Sequence, residues 1–493
     1  MRSSHRFVVR DAGRNASPRL SGCLGAISVV LSWFLQEQTP RDFEEMQETA
    51  SQAESQHANV AQGLTDQQQT RGMRYTYIAV CFGSIMFVLM RGSAIGPLFI
   101  KRLGGSDLQA LLIAAFVTLF HVIQIPIALK IAPSKGKTFM LGCWYVYALL
   151  LAVAVLLPSF LPPGQTTVIS VLILVAMAFA IRSAGGPFWF PLIHDVVPVD
   201  RRGRFFGKLR ALWTSGCFVY VLLAGVFLGS QPEPDIWKFQ VILGIAAIFA
   251  LIRNVFVSVI PTGNSLSRDL DYDDWKAYIK EFLLHRELLL FCTYFGAFSI
   301  LATFLRQPLI LYLRHMGLPD GNNVIVFNFN MLGMVLFLLA GGVLVDRFGT
   351  KPIFLVSHVI LFLLCMAVVG IGMLPLDPAR ILMAVAMILS GGTLAVAGIA
   401  CTAQMFHLVP DRGRVFFMSL AMIILWSGFT ISPLVAGDIL NRTGPDWTLH
   451  FLGVQLDIFQ VMFASAGLAM LPIIGLLRFV DNVKPKAQSP SAT

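Results

Sequence analysis

Charge is scarce in this chain. Only 13% of the residues are Asp, Glu, Lys or Arg, while 56% are hydrophobic. A soluble domain carries about 25% charged residues to cover its surface, so an ordinary soluble globular protein is excluded. Paired cysteines are missing too. None of the seven cysteines forms a Cys-x-x-Cys pair, and six of them (Cys81, Cys143, Cys217, Cys292, Cys365 and Cys401) lie inside apolar runs. They read as small packing residues, so neither a disulfide framework nor a metal site is expected. No Gly-x-x-x-x-Gly-Lys-Ser/Thr loop is present, which removes nucleotide hydrolysis through that motif. No nucleophile–base set or ligand spacing appears either, so neither an enzyme nor a bound cofactor is expected.

What fills the chain is apolar runs of bilayer length. About twenty residues cross a membrane as a helix. Twelve such runs occur, at 75–100, 108–132, 138–160, 166–193, 205–229, 237–260, 287–313, 323–345, 352–374, 380–406, 414–437 and 451–478. Short polar or Pro/Gly turns separate them. The fold class is therefore all-α and polytopic. The longest connection, 261–286, divides the chain into bundles of six at 74–260 and 287–480. Its second half carries Trp275, Tyr278, Ile279, Phe282 and Leu283 on one helical face, which predicts a helix in the membrane interface. Residues 1–73 are polar and without period, which predicts a disordered extension. The end, 481–493, is a short tail.

Loop charges set the orientation. One side carries Lys130, Lys135, Lys137, Arg201, Arg202, Arg204, Lys208, Arg210, Arg268, Lys276, Lys280, Arg286, Arg347, Lys351, Arg412 and Arg414. The other carries Lys101, Arg102, Lys238, Arg314, Arg380 and Arg442. The balance of 16 to 6 places both termini in the cytoplasm, in an inner (plasma) membrane. The same clustering accounts for the net charge of +10 without a nucleic-acid partner. The expected partners are a lipid bilayer and a small-molecule solute, and a monomer is expected.

The loop after the eighth run reads Gly341-Gly-Val-Leu-Val-Asp346-Arg347-Phe-Gly349-Thr-Lys351. A reversal this tight needs a residue that accepts positive φ, and Gly349 supplies it. Through Gly342, Leu344, Asp346, Arg347, Gly349 and Lys351 the loop resembles the signature loop of the major facilitator superfamily of secondary transporters. An internal repeat agrees with the resemblance. An offset of 213 carries Gly104 onto Gly317, Asp107 onto Asp320 and Gly136 onto Gly349. The loops beginning Val197-Pro-Val-Asp-Arg-Arg-Gly-Arg and Val409-Pro-Asp-Arg-Gly-Arg also match in kind. The resemblance implies two six-helix bundles, a solute site between them near the midplane, and alternating access. It also implies a gating role for Asp346, Arg347, Gly349 and Lys351. The first half departs from the pattern, because Pro133 stands where Asp346 would be.

Polar groups inside spans are costly and point to function. The resemblance makes helices 1, 4, 7 and 10 line the path. Arg91, Arg182 and Arg306 fall on the first three of these. Arg91 and Arg182 are expected near mid-depth, where the planar guanidinium suits a carboxylate or phosphate. Arg306 is expected near a helix end, free to snorkel. His121 and Gln124 share one face of helix 2, and Trp189 follows a Gly-Gly-Pro bend on helix 4. The candidate binding set is Arg91, His121, Gln124, Arg182 and Trp189. Carboxylates are absent from the middle of helices 1, 4, 7 and 10, which disfavours proton symport and cationic substrates. The preferred expectation is a carrier of a small organic anion or carboxylate-bearing metabolite. The alternatives are efflux of neutral or amphipathic compounds and a membrane ligand sensor.

Overall fold

A computed structural model describes residues 64–483, apart from 132, 199–200, 232, 264–274, 411–413, 445 and 452. The extension before residue 64, the part of the connection at 264–274 and the end of the tail lie outside the described residues. Twelve described helices are long and apolar enough to cross a membrane. They are Asp66–Arg91, Asp107–Ile127, Gly136–Ser159, Gln165–Val196, Arg204–Leu228, Ile236–Ser258, Arg286–His315, Asp320–Leu338, Thr350–Ile371, Leu376–Leu408, Phe416–Thr443 and Ile458–Phe479. They are numbered spans 1 to 12 below.

Span 1 starts at Asp66 rather than at Tyr75. Thr65 caps it: the Gln68 amide donates to the Thr65 hydroxyl, and the Thr65 amide donates to the Gln68 side chain. Such a box satisfies N–H groups that a helix start leaves orphaned. The helix then breaks at Gly92 and resumes at Ile95–Arg102. Ser93 bridges the gap, donating to the Leu89 carbonyl and accepting from the Ile95 amide. Three other spans change geometry at mid-course. Span 2 passes through a tight turn at Phe120–Ile123, span 4 through one at Gly186–Phe188, and span 11 through a break at Trp426–Ser427.

The packing pattern is a repeat. Span 1 packs on 5 and 6, span 3 on 4 and 6, and span 2 on 4. Adding six to each number gives the C-terminal pairs: 7 on 11 and 12, 9 on 10 and 12, and 8 on 10. The bundles meet where span 2 packs on 11 and span 5 on 8. Gly104 and Gly317, matched by the sequence repeat, both adopt left-handed backbone, at φ +90° and +86°. Between spans 11 and 12 an antiparallel hairpin, β1 (Thr448–Phe451) and β2 (Val454–Asp457), turns the chain. Sequence reading missed it because its strands lie inside or beside an apolar run.

The two ends of the bundles pack differently. At the face opposite the termini one apolar cluster runs through both halves, joining residues such as Leu98, Ile113, Phe239, Leu309, Val324 and Phe459. At the terminal face the clusters are separate. One holds Ala79, Phe139, Trp144 and Val257 of the first half, and another Tyr294, Phe354, Met405 and Phe417 of the second. Among the described residues a single first-half side chain, Ile125, packs on the latter. Glycine permits the closest approach at the sealed face. A Cβ on Gly321 of span 8 would lie 2.6 Å from the Gly225 carbonyl oxygen and 2.9 Å from the Gly229 amide nitrogen. Ions join the halves at the same face: Glu233 lies 2.8 Å from Arg102 and 3.6 Å from Arg314.

The connecting helix Trp275–Leu284 is partly covered by protein. Tyr278 and Phe282 are buried, with rings 5.8 Å and 6.0 Å from those of Phe416 and Phe417 respectively. Its aromatic face docks on the second bundle, while Leu283 and Leu284 remain exposed.

Candidate functional site

The helix breaks place the candidate residues. Arg91 is the last residue of the span 1 helix, where the carbonyl ends of the helix favour a cation. Its guanidinium carbon lies 3.6 Å from the ring centre of Phe429, 5.1 Å from Trp426 and 5.3 Å from Phe87. Trp426 lies in the break of span 11 and Phe429 at the start of the helix after it, so this arginine of the first half is held by rings of the second. Arg182 of span 4 lies 4.8 Å from the same Phe87 ring and 5.8 Å from that of Tyr147. The two arginines therefore flank one phenylalanine. Neither forms an ion pair or a side-chain hydrogen bond with any described residue.

The bundles are stitched around this point by neutral polar groups. Gln307 of span 7 donates to the Arg91 carbonyl at 3.1 Å. The Thr118 and Thr430 hydroxyls meet at 2.7 Å between spans 2 and 11. Asn328 of span 8 donates to the Phe218 carbonyl of span 5 at 2.9 Å.

Other expected residues divide. His121 is half-buried, and its Nδ1 donates to the Thr118 carbonyl at 3.0 Å, since a carbonyl can only accept. Arg182 and Arg91 both act on it electrostatically. Gln124 lies against Gly186, so that a Cβ there would sit 2.8 Å from its Nε2. Trp189 is elsewhere. It packs 5.4 Å from Trp144 and joins the terminal-face core of the first bundle. Arg306 does not snorkel. It is 8% exposed, 5.8 Å from the Phe327 ring, with a buried Nε that has no partner.

One residue was missed altogether. Arg253 of span 6 is 7% exposed and lies 3.6 Å from the Trp144 ring and 5.6 Å from Trp189. Its signal was available, as a charged residue followed by Asn254 inside an apolar run. The aromatic partners Phe87, Tyr147, Trp426 and Phe429 had no such signal, because a ring in an apolar run looks like any other packing residue.

At the terminal face the helix of span 8 runs on to Phe348, and Gly349 adopts φ +83° with its N–H closing that helix on the Val345 carbonyl. Asp346 and Arg347 are exposed, and neither is in an ion pair with a described residue. The turn is instead clamped by the chain end. The Lys351 amide donates to Asn482 at 3.1 Å, Thr350 exchanges hydrogen bonds with Val483, and Gln404 donates to the Asp481 carbonyl. No group of three or more His, Cys, Asp or Glu that could hold a metal occurs among the described residues.

The fold and its central site define a two-bundle polytopic carrier architecture. A family model for the Major Facilitator Superfamily matches residues 18–219, 144–376 and 308–493. The chain belongs to the Major Facilitator Superfamily, a family of membrane transporters. Among curated proteins none matches the sequence. Solved structures share the fold. The nucleoside transporter NupG is 13% identical with a TM-score of 0.54, over 83% of this chain and 98% of that one. The inward-open xylose transporter XylE from E. coli is 14% identical with a TM-score of 0.55, over 85% and 96%. A POT family transporter in complex with 5-aminolevulinic acid is 14% identical with a TM-score of 0.59, over 83% and 95%.

Proposed function

We propose that this protein moves a small organic anion, or a metabolite bearing a carboxylate, by alternating access. One observation carries the reading: Arg91 and Arg182 flank Phe87 at the junction of the bundles with no acidic partner among the described residues. An uncompensated guanidinium in a span costs about 2.5–3.5 kcal/mol on insertion scales. An anion bound between the two would offset that cost and take the planar fork of each. His121 and Gln124 border the same space and would complete the site, while Trp189 would contact solute only nearer the terminal face. Asp346, Arg347, Gly349 and Lys351 would gate the terminal face, with Asp346 and Arg347 free to pair as it closes. The loop-charge balance supports a plasma-membrane protein with both termini in the cytoplasm.

The test is a thermal-shift screen of the purified protein against acidic, neutral and basic metabolites, followed by uptake of the best binder into proteoliposomes. Acidic compounds are expected to raise Tm, and Arg182→Ala is expected to abolish uptake while leaving a folded protein. Full uptake by folded Arg182→Ala, or stabilisation by neutral or basic compounds alone, refutes the reading.

A further inference from the structure

We infer that the central site has a second anion subsite at Arg253 and Tyr147, so that the solute it is built for carries two separated anionic groups. This rests on the proposed anion reading and specifies it further.

The arginines and rings alternate. From the break in span 11 the order is Phe429, Arg91, Phe87, Arg182, Tyr147, and then Arg253 on Trp144. Gly83, Phe87 and Arg91 follow one another at four-residue steps on span 1 and share a face. Gly83 to Arg91 is therefore about 12 Å along the helix. Arg253 occupies the level of Gly83, because a Cβ on that glycine would strike the Arg253 side chain. The series thus extends from the mid-depth break toward the terminal face.

Two observations at this lower level point to a ligand. Arg253 is more than nine-tenths buried, yet its guanidinium has no hydrogen bond or ion pair with a described residue. The Tyr147 hydroxyl is buried with no hydrogen-bond partner, and the charges of both Arg182 and Arg253 act on it. A buried O–H donor left unpaired within the field of two arginines is a costly arrangement for packing alone. It is a suitable one for a carboxylate, which accepts from all three. One anionic group then sits between Arg91 and Arg182, and the other at Arg182, Tyr147 and Arg253. Phe87 lines the first of these positions, and Arg182 is shared by both.

The test uses the full-length protein and two matched series, α,ω-dicarboxylates from succinate to sebacate and the monocarboxylates of equal chain length. Apparent affinities are read from Tm against concentration. Dicarboxylates are expected to bind at least about tenfold more tightly than their monocarboxylate partners, the scale of one charged hydrogen-bonding group. Arg253→Gln is expected to erase that ratio and leave monocarboxylate affinity in place. Gly83→Ala, which displaces Arg253 without removing its charge, is expected to do the same, and Arg253→Lys to restore part of the ratio. Equal binding of the two series, or a ratio that survives both Arg253→Gln and Gly83→Ala, overturns the second subsite while leaving the single-anion reading intact. Binding of neither series overturns both.

Discussion

Replacing Gly321 by Ala should prise open the face opposite the termini. The new Cβ would strike the Gly229 carbonyl oxygen and would lie 2.6 Å from the Gly225 oxygen and 2.9 Å from the Gly229 nitrogen, all backbone atoms of the span 5 end. Ordinary contact is at about 3.5–4.0 Å, so spans 5 and 8 must part by more than about 1 Å at this point. A flexible side chain could yield at little cost, but backbone cannot. Overpacking of this kind costs about 1–3 kcal/mol. The two halves have separate cores at the terminal face, so the strain can be relieved by rocking one half against the other rather than by unfolding either. The cost then falls on the sealed conformation and shifts its population by about 5- to 150-fold. Spin labels at Asp235→Cys and Asp377→Cys, exposed residues of the first and second halves on that face, report the separation in a background without reactive cysteines. The variant should gain a longer-distance population with Tm changed by only a few degrees. An unchanged distance distribution in a folded protein would show that the glycine contact does not hold the seal.

Other outcomes follow from the same structure. Glu233→Gln should lengthen the same distance, because it removes the bridge between Arg102 and Arg314. The hydrogen bond from Arg102, and then the charges of both arginines, hold the Glu233 carboxyl below the usual carboxylate range. A lowered value means the bridge is complete above the unperturbed pKa, about 4.3, and is lost only as pH falls further. The part of those distances that depends on Glu233 should therefore stay constant from pH 8 to pH 5 and be lost in stronger acid; a midpoint nearer neutrality would assign the change to buried Asp320, which the same two arginines reach. Gly349→Ala places a Cβ at φ +83° and against Asn482. Such backbone costs about 1–3 kcal/mol, so Tm should fall and the 481–483 segment should become protease-sensitive. Arg182→Gln removes an unpaired cation from the spans. It should leave Tm of the ligand-free protein unchanged or higher, while anion affinity falls by about 10- to 100-fold. A fall of several degrees with affinity intact would make Arg182 a packing residue.

Local rules carried much of this. The length of each apolar run and the turns between runs place twelve helices, because a bilayer demands that every backbone group be paired within its own span. The left-handed Gly349 and the repeat joining Gly104 to Gly317 could also be read along the chain, since each depends on a few neighbouring residues. Arg91 and Arg182 stood out because charge inside an apolar run is costly wherever the run lies. The chain alone did not determine what surrounds them. That Phe87 separates the two arginines, that Phe429 of the other half covers Arg91, and that Arg253 joins the series depend on contacts between spans distant in sequence. The same holds for Trp189, which packs on Trp144 rather than beside Phe87, and for the clamp of residues 481–483 on the signature turn. Periodicity and composition say which residues are buried in a span; only the packing of the two bundles decides which buried residues meet.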